Sequence, residues 1–438
     1  MNVLSRKQTL SGYLTVPGSK SHTIRSVLFA ALARGTSTIR NPLPSADGLS
    51  CMNVVQAFGA KVTIEEGIWT VTAPSGGLTL PSRVVDVGNS GSVLYFITPI
   101  AATLPGWTVV TGDSSICTRP IQALLNALSQ LGAEGFTTRP NIDSPPVVVK
   151  GPFQPGNVIL EGNLSQYVSG ILMAAPRLEG KTCISLTNPK EKPFLKMTCQ
   201  WLKSVGIGVT YNESSLDYFE ITGPQAFNSF DRTIPSDWEG VAFPLVAAII
   251  TGSHLEIRNI DCSGSQGDEA IVDVLRAMGG DIVLDTERET LIVNGSSSGK
   301  APVLLNGGEF ACADFPDALP SLAVAACFAE GDTRLVDIGV CRLKETDRIT
   351  LMKRELEKLG ASLEEGPDWL LIRGTGGKGL HGGTVESYDD HRIAMALSVA
   401  GLAIEGEGVI VKGAECCAVS FPNFYETLNG VGAGFICN

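Results

Sequence analysis

The chain repeats one pattern of hydrophobic and polar positions six times. Each copy has a helical run, then an apolar residue, a glycine and an extended segment. The copies are VVQAFGAKVTI, ALSQLGAEGFT, WLKSVGIGVTY, VLRAMGGDIVL, ELEKLGASLEE and TLNGVGAGFIC. Their glycines are separated by steps of 73, 74, 73, 81 and 72 residues, and they are Gly59, Gly132, Gly206, Gly279, Gly360 and Gly432. The pattern therefore predicts six units of similar size.

The shared glycine indicates how each unit is built. Glycine adopts positive φ at the lowest cost, so we expect it just after a helix, before the chain enters a strand that packs back on that helix. Each unit has room for two helices and three or four short strands, which predicts an α/β or α+β architecture. Six units divide naturally into two domains of three, with a ligand cleft between them as the default site. A TIM barrel fits less well, because its βα units are only ~30 residues long.

Composition narrows the class of protein. The chain has 438 residues, of which 44% are hydrophobic and 18% are charged, as expected for a well-buried globular protein. No apolar run reaches the ~18 residues of a membrane span, and the N-terminus lacks the apolar stretch of a signal peptide, so we expect a cytoplasmic protein. The net charge of −12 argues against a nucleic-acid partner. An anionic ligand would have to meet a local cluster of cations.

Cysteine and histidine spacing gives no sign of a metal site. The 11 cysteines are scattered without a C-x-x-C pair, and the 4 histidines show no metal-ligand spacing. We expect reduced thiols in the core, no metal and no cofactor.

The segment PGSKSHTIRS, residues 17–26, places two cations where an extended run gives way to a helix. It ends like a phosphate-binding Walker A motif, but the preceding glycines have the wrong spacing. A glycine-containing turn before a helix still exposes backbone N–H donors, and Lys20 and Arg25 could flank a bound anion there. A capped helix start with solvated charges is the alternative interpretation.

Charge is also concentrated in two segments nearer the C-terminus. The segment CRLKETDRIT contains Lys344, Glu345 and Arg348, and the segment SYDDHRIAMALSVAG has His391 and Arg392 at the start of an apolar helix. Helix N-termini stabilise anions, and arginine binds carboxylate or phosphate with two donors. Together the segments predict a site for an anionic substrate and proton transfer. Helix capping with local ion pairs explains either segment alone about equally well.

Three further segments also place polar or charged residues at a predicted helix start. DVGNSGSVLYF places Asn89 and Gly91 in a turn before a helix, and CTRPIQALLNAL places Arg119 before Pro120, which suits a helix start. DFPDALPSLAV sets Asp317 at the start of a nearly uncharged helix. A carboxylate in that position can serve as a base, although a helix N-cap is its more common role.

Eight motifs, in this order and over nearly the full chain, resemble those of the 5-enolpyruvylshikimate-3-phosphate (EPSP) synthase family. They are PGSKSHTIR, GNSGS, TRPIQALL, SQYVSGILMAAP, FPDALPSLAV, CRLKETDRI, SYDDHRIAMA and SFPNF. The resemblance implies a two-domain inside-out α/β barrel of six βαβαββ repeats, three per domain. Because the chain of that family crosses between its domains twice, we expect residues 16–235 in one domain and residues 1–15 with 236–438 in the other.

The resemblance also implies an activity. The family transfers the enolpyruvyl group of phosphoenolpyruvate to the 5-hydroxyl of shikimate 3-phosphate and releases phosphate, in the shikimate pathway of aromatic amino-acid biosynthesis. It is the target family of glyphosate, and it uses neither a metal nor another cofactor. The expected partners are these two small molecules, with no nucleic acid and no membrane, and the expected state is a cytoplasmic monomer.

Roles for single residues follow from the same resemblance. Asp317 would accept the proton of the attacking hydroxyl, and Glu345 would donate a proton to the methylene carbon of phosphoenolpyruvate. The implied catalytic residues are Lys20, Asp317, Glu345 and His391. The implied phosphoenolpyruvate-binding residues are Lys20, Asn89, Gly91, Arg119, Gln166, Arg348 and Arg392. The implied shikimate-3-phosphate-binding residues are Lys20, Ser21, Arg25, Ser165, Gln166, Asp317 and Lys344.

Several positions depart from the family pattern. Val419 replaces a lysine that binds phosphoenolpyruvate, Leu164 replaces the first of two serines, and Glu191 replaces a serine that contacts the acceptor phosphate. A carboxylate beside a dianionic phosphate would repel it, so Glu191 either points away or the acceptor carries no phosphate there. The remaining departures are Tyr95, Val340 and the pair Glu239-Gly240.

Three functions are therefore compatible with the sequence. The synthase ranks first, because its principal charged residues are in place. The others are a paralogous enolpyruvyl transferase that uses a different hydroxyl acceptor, and a non-catalytic binding paralogue. The sister family that acts on a UDP-amino sugar fits less well, because its loop cysteine lies farther upstream of Arg119 than Cys117 does and its Lys-Asn start is absent.

Overall fold

The computed structural model describes residues 1–295 and 304–438. Its helices are α1 (Lys20–Leu32), α2 (Ala46–Ala57), α3 (Gly91–Ala101), α4 (Gln122–Gln130), α5 (Ser165–Ala174), α6 (Lys192–Ser204), α7 (Trp238–Ile250), α8 (Ile271–Ala277), α9 (Leu319–Cys327), α10 (Arg348–Glu357), α11 (His391–Gly401) and α12 (Phe424–Asn429).

The strands that precede residue 234 are β1 (Asn2–Ser5), β2 (Ser11–Thr15), β3 (Ala33–Arg34), β4 (Thr36–Arg40), β5 (Lys61–Glu65), β6 (Ile68–Thr72), β7 (Val85–Asp86), β8 (Trp107–Thr111), β9 (Glu134–Thr137), β10 (Val147–Lys150), β11 (Asn157–Glu161), β12 (Gly180–Thr187), β13 (Thr210–Tyr211), β14 (Tyr218–Gly223), β15 (Phe227–Asn228) and β16 (Asp231–Thr233). The later strands are β17 (His254–Arg258), β18 (Ile282–Asp285), β19 (Thr290–Val293), β20 (Leu305–Asn306), β21 (Glu309–Ala311), β22 (Ala329–Val336), β23 (Ser362–Gly366), β24 (Trp369–Thr375), β25 (Gly383–Glu386), β26 (Val409–Lys412) and β27 (Ile436–Cys437).

Apart from the short pair of β3 with β15, the strands of the described ranges form six sheets with one shared topology. In each sheet the first strand runs parallel to the second, and the third runs antiparallel to both the second and the fourth. The sheet orders are β16-β4-β6-β5, β7-β8-β10-β9, β11-β12-β14-β13, β2-β17-β19-β18, β20-β22-β24-β23 and β25-β26-β1-β27. In the fifth of these sheets, β21 also pairs with β22. Together with two helices, each sheet makes one βαβαββ unit. The predicted six repeats and the α/β fold class are therefore confirmed.

The chain forms two compact units. The central unit is Gly18–Ile234, and the terminal unit is Met1–Pro17 together with Pro235–Asn438. Each unit contains three of the six sheets, and each takes a strand from a distant part of the chain. In the central unit β16 pairs with β4, and in the terminal unit β2 pairs with β17 while β1 lies between β26 and β27.

The two helices of each repeat differ in burial. The first helices are α1, α3, α5, α7, α9 and α11, and every residue of the last three is buried. The second helices are amphipathic: α4, for example, buries Leu124, Leu125, Ala127 and Leu128. A helix that is apolar on all sides must be covered on all sides. The first helices accordingly pack against one another inside each unit, as α3 does with α1 and α5, and α9 with α7 and α11.

Within residues 1–295 and 304–438, no helix has the length and apolar character needed to cross a bilayer.

The six repeat glycines have the backbone conformation that the sequence predicts. Each follows the second helix of its repeat with positive φ, and the values are +98° at Gly59, +85° at Gly132, +88° at Gly206, +106° at Gly279, +90° at Gly360 and +104° at Gly432. The left-handed region is costly for residues that carry a Cβ atom, so the glycine lets the chain leave the helix and enter the next strand.

The helix that the sequence predicts near Pro120 is α4, which begins two residues later at Gln122. The carboxylate of Asp143 accepts hydrogen bonds from the backbone N–H groups of Ile121 at 2.8 Å and Gln122 at 2.5 Å. A distant side chain thus caps α4, and Arg119 lies in an extended conformation before it.

The variant Gly132→Ala should lower the free energy of unfolding by about 1 kcal/mol, because alanine is strained at positive φ. The nearest atom would lie 4.0 Å from the added Cβ, so the cost comes from the backbone and not from a clash. Urea unfolding of both proteins measures the difference. Gly76→Ala is the control, since Gly76 has no positive φ and open space around it; equal losses in the two variants would contradict the prediction.

Candidate active site

Most of the predicted site residues lie at or just before the N-terminal ends of helices, whereas Arg25 lies farther along α1. In the central unit, Lys20 begins α1, Gly91 begins α3 and Ser165 begins α5. In the terminal unit, the fully buried His391 begins α11, and Asp317 lies in a 3₁₀ turn directly before α9. The first N–H groups of a helix have no partner within that helix, and the helix dipole favours negative charge there. Both units therefore gather their site residues where anions are stabilised.

Hydrogen bonds and ion pairs show that these helix starts are neighbours in the central unit. The Nζ atom of Lys20 lies 4.0 Å from Oδ2 of Asp47, and Ser90, the N-cap of α3, donates to the same oxygen at 3.0 Å. Gln166, the second residue of α5, donates to the hydroxyl of Ser92 in α3 at 3.4 Å. The starts of α1, α3 and α5 are thus linked.

Arg119 and Gly91 are close together. A Cβ atom at Gly91 would lie 2.5 Å from Nη1 of Arg119, so the missing side chain makes room for the guanidinium. Arg119 is buried, which places its charge beside the start of α3. Asn89, two residues before that helix, donates to Asp113 at 2.6 Å.

Arg25 is a second buried cation of the central unit. It donates to the hydroxyl of Thr198 at 3.0 Å, to the carbonyl of Phe194 at 3.3 Å and to the carbonyl of Ser21 at 3.2 Å. Burial lowers the pKa of Arg25 to about 9, and the charge of Glu191 partly offsets that effect. The guanidinium is therefore held rigidly, within electrostatic reach of Glu191.

The carboxylate of Glu191 points into this region. Its Oε2 atom accepts hydrogen bonds from the backbone N–H of Ser165 at 3.0 Å and from the hydroxyl of Ser165 at 2.9 Å, and the residue is 1% exposed. Leu164, the N-cap residue of α5, supplies no side-chain cap. The carboxylate is therefore turned towards Ser165 and away from solvent.

In the terminal unit, Arg348 connects three carboxylates. It donates to Asp317 at 2.5 Å, to Glu345 at 2.6 Å and to Asp390 at 2.8 Å, with no exposed side-chain surface. Burial alone would lower the pKa of Arg348, but the charges of Asp390, Glu345 and Asp317 raise it well above its ordinary value. The two carboxylates predicted to transfer protons therefore contact one permanently charged guanidinium.

Asp317 has two more cationic neighbours. Nζ of Lys344 lies 3.4 Å from one of its oxygens, and Nε of Arg392 lies 3.3 Å from the other. Arg392 also donates to Glu239, in the first turn of α7. Burial lowers the pKa of Arg392 to about 10, and the charge of Asp237 partly offsets this. The starts of α7, α9 and α11 are thus joined through ion pairs.

Simple helix capping explains only part of the charged segments. Asp347 is the N-cap of α10 and accepts from the N–H of Thr350 at 3.1 Å, as the capping interpretation requires. Asp317 makes no helix cap, because its carboxylate bonds to cations instead. Glu345 pairs with Arg348, and the N-cap of α10 is Asp347.

The sequence-based candidates omit two buried acids of this cluster. Asp390, the N-cap of α11, bonds to Arg348, and its place directly before an apolar helix was a usable signal. Asp268 lies in the 3₁₀ turn Gly267–Ala270, and nothing in the pattern SQGDEA marks it. Burial raises the pKa of Asp268, the charges of Asp317 and Asp237 raise it further, and Lys344 opposes them.

Within the described residues, no group of three or more His, Cys, Asp or Glu side chains is arranged to hold a metal ion.

Six βαβαββ repeats in two units, with paired carboxylates and buried cations at helix N-termini, define the enolpyruvyl transferase class. The structure is similar to EPSP synthase from Acinetobacter baumannii, with a TM-score of 0.82, 28% identity and 99% of each chain covered. It also shares its fold with the enolpyruvyl transferase NikO from Streptomyces tendae, with a TM-score of 0.81, 20% identity, and 99% of this chain and 98% of that chain covered.

The chain belongs to the EPSP synthase (3-phosphoshikimate 1-carboxyvinyltransferase) family, whose model matches residues 4–428. A 3-phosphoshikimate 1-carboxyvinyltransferase from Ruminiclostridium cellulolyticum is 43% identical over 427 residues, which cover 98% of this chain and 97% of the relative. Another from Acetivibrio thermocellus is 40% identical over 428 residues, with the same coverage. The resemblance inferred from the eight motifs is confirmed.

The variant Asp268→Asn should stabilise the protein at neutral pH, and less so in acid. Because its pKa is raised in the folded state, Asp268 keeps its proton to higher pH there than in the unfolded chain. The free energy of unfolding therefore falls as pH rises above the ordinary value of 3.8. Urea unfolding from about pH 5 to about pH 8 should show the advantage of the variant growing with pH.

Asp273→Asn is the control, because the Asp273 side chain is 85% exposed. An advantage of Asp268→Asn that does not change with pH would contradict the assignment of a raised pKa.

Proposed function

We propose that the chain transfers the enolpyruvyl group of phosphoenolpyruvate to the 5-hydroxyl of shikimate 3-phosphate and releases phosphate. The observation that carries the proposal is the double contact of Arg348, which bonds to Asp317 at 2.5 Å and to Glu345 at 2.6 Å through different nitrogens. The reaction moves one proton off a hydroxyl and another onto a carbon, and two carboxylates beside one guanidinium can serve both transfers.

In the proposed reaction, Asp317 accepts the proton of the acceptor hydroxyl while the oxygen of that hydroxyl bonds to C2 of phosphoenolpyruvate. Glu345 donates a proton to the methylene carbon C3, which gives a tetrahedral intermediate. Loss of one proton from C3 and departure of phosphate then restore the carbon–carbon double bond. Lys344 and Arg392 contact Asp317 and supply positive charge beside it. This charge stabilises anionic substrates most strongly when the site excludes water.

The remaining predicted residues are assigned to binding. Buried arginines bind carboxylate and phosphate groups with paired hydrogen bonds, so Arg119, Arg348 and Arg392 are proposed to hold phosphoenolpyruvate. Lys20 is proposed to contact both substrates, and Arg25 and Ser21 to hold the acceptor. The proposal needs no metal or other cofactor, and it includes a cytoplasmic monomer as the working form.

A second candidate is the same transfer to a hydroxyl acceptor that lacks the phosphate. The observation that favours it is the buried Glu191 carboxylate, which already occupies the donors of Ser165.

Phosphate release from phosphoenolpyruvate, measured with and without shikimate 3-phosphate and followed by product mass, tests the proposal. We expect release only when both substrates are present, and a product with the mass of the enolpyruvyl adduct. Release with an unphosphorylated acceptor but none with shikimate 3-phosphate would indicate the second candidate. A folded protein that binds phosphoenolpyruvate but releases no phosphate with any acceptor would contradict both and indicate a binding paralogue.

The variant Glu345→Gln should lower kcat by about 10²- to 10⁴-fold, because glutamine can keep a hydrogen bond to Arg348 but cannot donate the proton. Steady-state phosphate release measures the change. Glu357→Gln, on the same helix and paired only with Lys353 on the surface, is the matched control and should leave kcat unchanged. A kcat for Glu345→Gln close to that of the wild type would exclude Glu345 as the proton donor.

A further inference from the structure

The guanidinium of Arg119 lies directly against the start of α3. A Cβ atom at Gly91 would lie 2.5 Å from its Nη1 atom, and the residue is 7% exposed. A buried guanidinium beside the first N–H groups of a helix is suited to a carboxylate or phosphate. Whether it can bind one depends on how the chain around residue 119 is held in place.

The main chain before Arg119 is held by the loop of residues 138–146, which joins β9 to β10. The hydroxyl of Ser144 donates to the carbonyl of Cys117 at 2.7 Å. Arg139 donates to the same carbonyl at 2.5 Å and to the Ser144 hydroxyl at 2.7 Å. Because Ser144 is 2% exposed and its hydroxyl both donates and accepts, its orientation is fixed. The carbonyl two residues before Arg119 therefore has a fixed position.

The main chain after Arg119 is held from α5. The hydroxyl of Tyr167, in the first turn of that helix, donates to the carbonyl of Pro120 at 2.7 Å. The next two backbone N–H groups donate to the carboxylate of Asp143, which belongs to the same loop as Ser144. Arg119 thus lies between two main-chain carbonyls that are each bound by a side-chain hydroxyl.

Tyr167 also contacts α3, the helix against which Arg119 lies. Its ring meets the ring of Tyr95 edge-on, with the centroids 4.9 Å apart and the planes at 87°, an arrangement that aromatic pairs favour. Tyr95 belongs to α3 and is 2% exposed, so the ring of Tyr167 packs in the core while its hydroxyl binds Pro120. One side chain therefore contacts both the helix and the segment that meet at Arg119.

We propose that Tyr167 and Ser144 are positioning residues: by holding the carbonyl groups on either side of Arg119, they fix its guanidinium at the start of α3 for an anionic group of phosphoenolpyruvate. This inference rests on the proposed function, which assigns Arg119 to that substrate. Binding with paired hydrogen bonds depends on the orientation of the guanidinium, so a segment that can move binds the substrate less tightly. Tyr167 and Ser144 act through Arg119 and do not touch the substrate.

A purely structural role for the two hydroxyls predicts a different result. A hydroxyl that only stabilises the fold lowers the free energy of unfolding when it is removed, but it leaves the relative KM values of the two substrates unchanged. The ratio of the KM for phosphoenolpyruvate to the KM for shikimate 3-phosphate is therefore the informative quantity. A loss of folded enzyme lowers the measured rate for both substrates alike and does not change this ratio.

Steady-state phosphate release, with each substrate varied while the other is saturating, measures both KM values. Tyr167→Phe keeps the ring against Tyr95 but removes the hydroxyl, and Ser144→Ala removes the donor to Cys117. Tyr211→Phe is the matched control, because the Tyr211 hydroxyl accepts from Lys203 at 3.2 Å on the exposed surface of the same unit. Thermal unfolding of each variant shows that it is folded under the assay conditions.

We expect the ratio to rise by about fivefold or more in Tyr167→Phe and in Ser144→Ala, which corresponds to the loss of one hydrogen bond, and to stay within about twofold in Tyr211→Phe. A smaller rise in either folded variant overturns the positioning role of that residue and leaves the proposed function intact. An equal rise in Tyr211→Phe overturns the inference as a whole. If the wild type releases no phosphate with the two substrates, the proposed function fails, and the inference fails with it.

Discussion

The burial of the first helix in every repeat is the constraint on which the rest of the structure depends. These helices are apolar on nearly all sides, so they cannot carry charge along their length without large desolvation costs. In α9 no residue is charged, and in α11 the charged or titratable residues are the first two, His391 and Arg392. In α7, α9 and α11 any charged side chain thus lies in the first two residues, where the backbone itself offers hydrogen bonds to anions, whereas α1 buries Arg25 farther along its length. The packing of the core and the position of the charged site residues both follow from the burial of these helices.

The cations at these ends are matched by carboxylates of the chain itself. Arg392 contacts Glu239, Arg348 contacts three acids, and Lys20 lies beside Asp47. Leaving a buried charge without a partner costs several kcal/mol, so the protein without ligand supplies its own counter-charges. Binding of an anionic substrate is then an exchange of partners. Under the proposed function, the affinity is the difference between two sets of ion pairs, and the contact of Glu239 with Arg392 belongs to the set that is present without substrate.

Local features were predictable from the sequence, and features that depend on distant residues were not. The repeat glycines could be identified because the end of a helix is set by a few neighbouring residues. Lys20 and Arg348 could be identified because each belongs to a short motif. The pairing of β16 with β4 joins segments about 190 residues apart and leaves no trace in either. Asp143 caps α4 from 21 residues away, and no local pattern around Pro120 indicates this contact. For Glu191 the sequence showed an unusual residue, but only the fold shows where its carboxylate points.

The strand order has a consequence for the way the chain folds during synthesis. All residues of the central unit are contiguous, so its three sheets can close as soon as Ile234 has left the ribosome. Two strands of the terminal unit, in contrast, are made before the central unit: β2 pairs with β17, and β1 pairs with the much later strands β26 and β27. β1 must therefore remain an unpaired strand until β26 has been made, about 400 residues later, and unpaired strands are prone to association with other chains. The short length of β1, four residues, and the polar residues between β1 and β2 limit that hazard until β26 is available.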